Sequence, residues 1–265
     1  MTVQFFTTDD GCRIAYRFDG PEEAPVLLLS NSLGTTMEMW APQMATFTQR
    51  FRVLRYDSRG HGQSDSPAGA YSMDRLGRDA VLLLDAVGVD RADFCGLSKG
   101  GMVGQWLGVR APERIGKLIL ANTSAYMGPP SGWQARIEGV LRDGMAPLAE
   151  ASIARWFTPD FPSRAPEAVA PIREMLLACD PSGYAGCCAA IRDMDLRPTA
   201  ALIVPPTLVI AGSQDPSTSV EDGGWLADAV RQGEMAVLDA AHLSNVEASV
   251  AFSAAVLGFL TNCAA

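Results

Sequence analysis

A serine set between glycines, where a short apolar run gives way to a helix of small residues, constrains this chain most. The stretch Phe94-Cys95-Gly96-Leu97-Ser98-Lys99-Gly100-Gly101-Met102 carries G-x-S-x-G at Gly96, Ser98 and Gly100. In a chain with 25 glycines that spacing alone decides little. Its setting decides more. Residues 91–95 are short enough for a buried strand, and residues 101–107 read as a helix packed closely through small side chains. A serine on so sharp a strand-to-helix turn has its oxygen pushed into the open at the end of a sheet. A side chain at either flanking glycine would clash in the turn. The helix after Ser98 aims free N–H groups and the positive end of its dipole at the site, which suits a developing oxyanion. The plain alternative is a glycine-rich turn with an ordinary serine.

The rest of the chain supplies a sheet for such a turn. Residues 4–8 and 12–17 flank an Asp10-Gly11 turn and read as an antiparallel edge hairpin. The run Pro25-Val26-Leu27-Leu28-Leu29 is continuously apolar, as expected of a strand buried on both faces, and it empties into a polar loop at residues 30–36. Further strands are expected at residues 51–56, 117–121, 206–212 and 235–238. Leu76, Ala80, Leu83, Leu84 and Val87 recur at helical spacing behind Ser72, a suitable N-cap. Helices are also expected over 220–230 and, as one unbroken element, 245–260. Alternation of strand and helix predicts an α/β fold with a mostly parallel central sheet and helices on both faces. The rhythm stops between residues 124 and 197, where helical stretches run between prolines. This segment is expected to be an inserted helical cap, with residues 1–123 and 198–265 forming the core.

Bulk properties narrow the function. The length of 265 residues fits one large α/β domain with an insertion, and 48% hydrophobic residues can fill its core. A net charge of −9 argues against nucleic acid and anionic membrane surfaces as partners. An anionic substrate would then need local positive charge in its pocket. The first ten residues show no basic stretch followed by an apolar one, so no secretory signal is expected, and no apolar run approaches membrane-spanning length. The six cysteines form no C-x-x-C and there are only two histidines, so no zinc site or other metal is expected. Free thiols in a reducing cytoplasm are the default, and the adjacent Cys187 and Cys188 read as small buried residues.

A serine hydroxyl needs a base, and histidine is best suited. His242 follows the last strand and precedes the last helix, so it lies at the same sheet edge as Ser98. His61, in Arg59-Gly60-His61-Gly62, reads as a loop-stabilising or pocket-wall residue. The carboxylate to orient His242 is expected to be Asp215, directly after the strand ending at Gly212. The order Ser98, Asp215, His242 supports it. Asp57 is the rival, set aside because Arg59 beside it points to a structural ion pair. The oxyanion donors are expected to be the backbone N–H groups of Lys99 and Leu33, with Ser32 as runner-up to Leu33.

At these residues the chain resembles the α/β-hydrolase superfamily over nearly its whole length. More narrowly it is similar to 3-oxoadipate enol-lactonases (β-ketoadipate enol-lactone hydrolases). The narrower likeness rests on Ser30-Asn31-Ser32-Leu33-Gly34 with Met39-Trp40, on Leu120-Ala121-Asn122-Thr123-Ser124, on the stretch from Gly183 to Asp193, and on Ala241-His242-Leu243-Ser244-Asn245-Val246-Glu247. It implies cofactor-free hydrolysis of a small anionic lactone by a monomer or weak homo-oligomer. The substrate's acetate arm calls for a cation, with Arg136 beside Trp133 the first candidate and Arg192, Arg197 and Lys99 the alternatives; Ser32 and Trp133 are expected to line the pocket. Trp156 reads as pocket wall or cap core. Position 99 departs from the family, which commonly has an apolar residue such as Met there. Glu247-Ala248-Ser249 lacks a proline often found there, and no functional effect is expected from that. Rival readings are another serine hydrolase of the same fold, or a non-catalytic small-molecule binding protein.

Overall fold

The apolar runs form an eight-stranded sheet in the computed structural model, which describes residues 2–262; Cys263 lies outside them. The strands are β1 (Gln4–Thr7), β2 (Arg13–Asp19), β3 (Val26–Ser30), β4 (Arg52–Tyr56), β5 (Ala92–Leu97), β6 (Ile115–Ala121), β7 (Thr207–Gly212) and β8 (Gly233–Leu238). Their spatial order is β1-β2-β4-β3-β5-β6-β7-β8. β1 and β2 form the expected hairpin, turning at Gly11 with φ 84°, and β2 pairs antiparallel with β4. The other pairings are parallel. Leu27, Leu28 and Leu29 are wholly buried, because helices cover both faces of the sheet.

The helices are α1 (Ala41–Phe47), α2 (Met73–Ala86), α3 (Lys99–Arg110), α4 (Pro130–Asp143), α5 (Ala149–Trp156), α6 (Phe161–Arg164), α7 (Pro166–Leu177), α8 (Pro181–Asp193), α9 (Val220–Ala229), α10 (Ser244–Glu247) and α11 (Ser249–Thr261). Ser72 caps α2 by accepting from Arg75 N–H, as its position predicted. α4 to α8 lie between β6 and β7, and no strand interrupts them among the described residues. No helix among the described residues is long and apolar enough to cross a membrane.

Two expectations need correction. The final helix is not continuous: it breaks at Ala248, with φ −115° and ψ 45°, into α10 and α11. The Glu247 carboxylate accepts from Ala241 N–H (2.8 Å) and from Thr158, which anchors the short α10 to the preceding loop while α11 turns away along the sheet. Arg59 does not pair with Asp57. It pairs with Asp79 (2.5 Å) and Asp10 (2.9 Å), whereas Asp57 accepts from the N–H groups of Met37 (2.7 Å) and Gln63 (2.9 Å). Asp57 is a joint between the loops after β3 and β4.

Candidate active site

Parallel strands in register deliver their following loops to one edge. Ser30 stands opposite Gly96, Leu97 opposite Ala121, Ala121 opposite Ile210, and Gly212 opposite Leu238. The loops holding Leu33, Ser98, Asn122, Asp215 and His242 therefore converge. Hydrogen bonds continue the ladder past the strand ends: Ser98 N–H to Ala121 O at 2.8 Å, and Asn122 N–H to Ile210 O at 2.7 Å.

Ser98 occupies the left-handed region, with φ 58° and ψ −116°. That conformation costs about 1–3 kcal/mol for a non-glycine residue and persists where packing enforces it. Packing does so here. A Cβ on Gly96 would lie 2.1 Å from Gly100 O, and one on Gly100 would lie 2.1 Å from Ser30 O. The glycines let helix α3 start directly against β3, leaving Ser98 on the rim of a cavity of about 320 Å³.

His242 lines the same cavity, and its Nδ1 donates to Asp215 Oδ2 at 2.8 Å. The proton on Nδ1 leaves Nε2 free to accept one. Asp215 is saturated with donors. Oδ1 accepts from Ser217 N–H (2.8 Å) and Thr218 N–H (3.1 Å), and Oδ2 accepts also from Thr218 Oγ1 (2.6 Å) and Asn122 Nδ2 (3.1 Å). Burial alone would raise this carboxyl, but the His242 charge and these hydrogen bonds outweigh it and hold the pKa at about 2. The carboxylate is thus ionised wherever His242 has work to do. Ser98 and His242 make no direct hydrogen bond among the described residues; both line the cavity.

The N–H groups of Leu33 and Lys99 donate to no acceptor among the described residues, whereas Ser32 N–H is taken by Met39 Sδ at 3.3 Å. Lys99 is the first residue of α3, where an N–H has no partner within the helix. Ser32 and Leu33 line the cavity.

Trp133, Arg136 and Trp156 line the cavity. The alternative cations do not. Arg192 pairs with Asp193 and Arg197 with Asp195. Lys99 is wholly buried and is not among the lining residues. His61 is a loop brace, accepting from Gly34 N–H at 2.9 Å. Asp57 makes no hydrogen bond or ion pair with His242 among the described residues; its partners are the backbone groups named above.

A model described as the alpha/beta hydrolase fold matches residues 25–249. The chain belongs to that family. It is 44% identical over 241 residues to 3-oxoadipate enol-lactonase 2 of Acinetobacter baylyi, spanning 91% of this chain and 90% of that one. A solved structure of a hydrolase from Pseudomonas aeruginosa superposes with a TM-score of 0.96 at 49% identity, over 98% of each chain. The enol-lactonase from Burkholderia xenovorans superposes with a TM-score of 0.96 at 42% identity, over 98% of this chain and 100% of that one. Within the α/β-hydrolase family, the chain is closely related to 3-oxoadipate enol-lactonases.

Three residues at the site escaped the sequence reading. Asn122, with φ 43°, donates to both Asp215 and Ala241 O (3.2 Å) and accepts from Ser244 Oγ (2.5 Å), so it pins the carboxylate loop to the histidine loop. An asparagine directly after a buried strand is the signal for such a left-handed residue. Thr218 was readable as the third residue after Asp215, within reach of an Asx turn. Arg155 sits on α5 and lines the cavity; nothing local in the sequence separates it from a surface arginine.

Proposed function

We propose that this chain hydrolyses 3-oxoadipate enol-lactone to 3-oxoadipate through an acyl-enzyme, with Ser98 as nucleophile, His242 as base and Asp215 as its orienting carboxylate. The observation that carries the reading is the cavity, where a hydroxyl, an imidazole held by a carboxylate, and arginine side chains meet with no Asp or Glu among the lining residues. The named activity of the 44% identical relative supplies the identity of the lactone. Residues 124–197 act as a cap over the core formed by 1–123 and 198–265. The protein works in the cytoplasm as a monomer or weak homo-oligomer.

Ser98 Oγ attacks the ring carbonyl as His242 Nε2 takes its proton. The tetrahedral oxyanion is held by Leu33 and Lys99 N–H; removing one such donor typically costs about 3 kcal/mol. Collapse breaks the ring C–O bond and expels an enolate, which takes the proton from His242 and tautomerises to the ketone. Water then gives a proton to His242, its oxygen attacks the acyl carbon, and the acid leaves as Ser98 regains its proton. Asp215 stabilises the imidazolium in both halves. The leaving group stays attached throughout, so the pocket must hold a longer open chain after the first half.

The test follows enol-lactone absorbance with the wild type and Ser98→Ala. Wild type is expected to consume the lactone and release 3-oxoadipate, and Ser98→Ala to lose roughly 10⁴–10⁶-fold in kcat. Equal consumption by both proteins would remove Ser98 from the mechanism. No consumption by either would reject the lactone.

A further inference from the structure

Two arginines share the catalytic cavity, and neither is neutralised. Arg136 on α4 stacks over the Trp133 ring, 4.6 Å from its centroid, and lies beside Tyr184. Arg155 on α5 donates to Ser152 Oγ at 3.2 Å. Neither forms an ion pair among the described residues, although Arg142, Arg173, Arg192 and Arg197 of the same segment each pair with a carboxylate. Both guanidinium groups belong to residues lining the one cavity, and burial, then the Arg136 charge, hold Arg155 below its ordinary pKa. Half-buried like charges without a counter-ion are unfavourable to fold around unless something anionic is to be bound. The chain as a whole carries net charge −9, so this spot reverses the sign of its surroundings.

We propose that Arg155 joins Arg136 in a two-guanidinium clamp for the free carboxylate of the substrate, and that Arg155 is a specificity-determining residue favouring anionic over neutral lactones and esters. The two side chains divide the task. Arg136, resting over the Trp133 ring, offers its fork to one carboxylate edge. Among the described residues Arg155 hydrogen-bonds only to Ser152, which leaves donors of its fork for the other edge. With the acetate arm clamped, the ring is left to reach Ser98 in one orientation, so anion binding also orders the reacting carbonyl. This rests on the reading of the cavity as the hydrolytic site.

The test is calorimetric and uses Ser98→Ala protein, so that nothing turns over. Adipate, a stable dicarboxylate with the carbon count of the proposed product, is titrated alongside neutral dimethyl adipate. The ratio of adipate to dimethyl adipate affinity is expected to fall about tenfold or more on adding Arg155→Gln, in line with the loss of a charge-assisted hydrogen bond. Arg155→Lys, which keeps the charge but not the planar fork, is expected to restore part of the ratio. A ratio within twofold of the parent in Arg155→Gln, or no adipate binding by the parent at millimolar concentration, overturns the clamp. If the wild type leaves the enol-lactone intact yet the ratio still falls, the proposed reaction fails while the clamp stands.

Discussion

Gly34 donates its N–H to His61 Nε2, so His61 can brace the loop beside Leu33 only while that nitrogen carries no proton. Its Nδ1 faces Arg59 O at 3.3 Å and holds the single ring proton. Complete burial, and then the charge of Lys99, push its pKa well below 6.5. The unfolded chain therefore binds a proton that the folded chain refuses. Stability from this residue is whole above about pH 6.5 and falls by up to about 1.4 kcal/mol per pH unit below it. Urea unfolding at pH 7.5 and pH 5.5 measures the effect. The acid loss is expected to shrink by about 1 kcal/mol in His61→Gln, which keeps an acceptor without a titrating ring. It should shrink by less in Lys99→Met, because burial remains. Equal acid losses in all three proteins would refute this role. At this scale the legible signals are residue type and position after a strand. They single out Ser98, Asp215 and His242, but not the groups that hold them. Asp57 is structural as expected, but its partners were not legible, because its donors, Met37 N–H and Gln63 N–H, are backbone groups of two other turns that no side-chain pattern announces.

Elements were legible where burial wrote a period into the chain. Continuous apolar runs marked β3 and β7, and the spacing of Leu76, Ala80, Leu83 and Leu84 marked α2, whose buried face they form. The short α1 carried no comparable period, and the break at Ala248 depends on what Glu247 reaches in space. The seat of α8 was equally unreadable. Gly60, at φ 78°, meets Gly183 backbone to backbone: a Cβ on Gly183 would lie 2.3 Å from Gly60 Cα and 2.4 Å from its oxygen. Two separate glycines thus set how closely α8 approaches the loop after β4, and α8 carries Tyr184 and Ile191 into the cavity wall. Gly183→Ala cannot be absorbed by a rotamer change, so α8 must move outward. The expected cost is about 1–3 kcal/mol of stability. A displaced wall should also lower kcat/KM for the enol-lactone by about tenfold, since small misplacements of substrate are costly. Thermal unfolding and steady-state kinetics on the same preparation check both; an unaltered kcat/KM in a destabilised protein would separate α8 from the site.

The cavity exists only as a property of the whole chain, since its walls come from the loops after β3, β6, β7 and β8, the strand-to-helix turn at Ser98, and helices α3, α4, α5 and α8. Glu247, on α10, ties the chain beyond α5 to the loop after β8. One carboxylate oxygen accepts from Thr158 N–H (3.1 Å) and Thr158 Oγ1, beyond the end of α5, and the other accepts from Ala241 N–H (2.8 Å), beside His242. Leu243 N–H donates to Trp156 O at 2.9 Å in parallel, and Gln43 Nε2 donates to Asn245 O at 2.6 Å from the side of α1. Glu247→Ala would strand the Ala241 and Thr158 donors. Partly buried donors left without acceptors cost about 1–3 kcal/mol each when water cannot replace the partner. Because the lost bonds join regions and do not fill the core, the first consequence should be local opening of the histidine loop. In the wild type, loss of activity and the change in tryptophan fluorescence should coincide on heating. In Glu247→Ala, activity should fail several degrees before the fluorescence transition, and kcat at 25 °C should fall more than KM rises. Glu247→Gln, which keeps one acceptor oxygen, should lie between the two. Coincident transitions in Glu247→Ala would mean that the loop is held by the sheet edge alone, and that the helices of residues 124–197 contribute walls to the cavity without governing the position of its base.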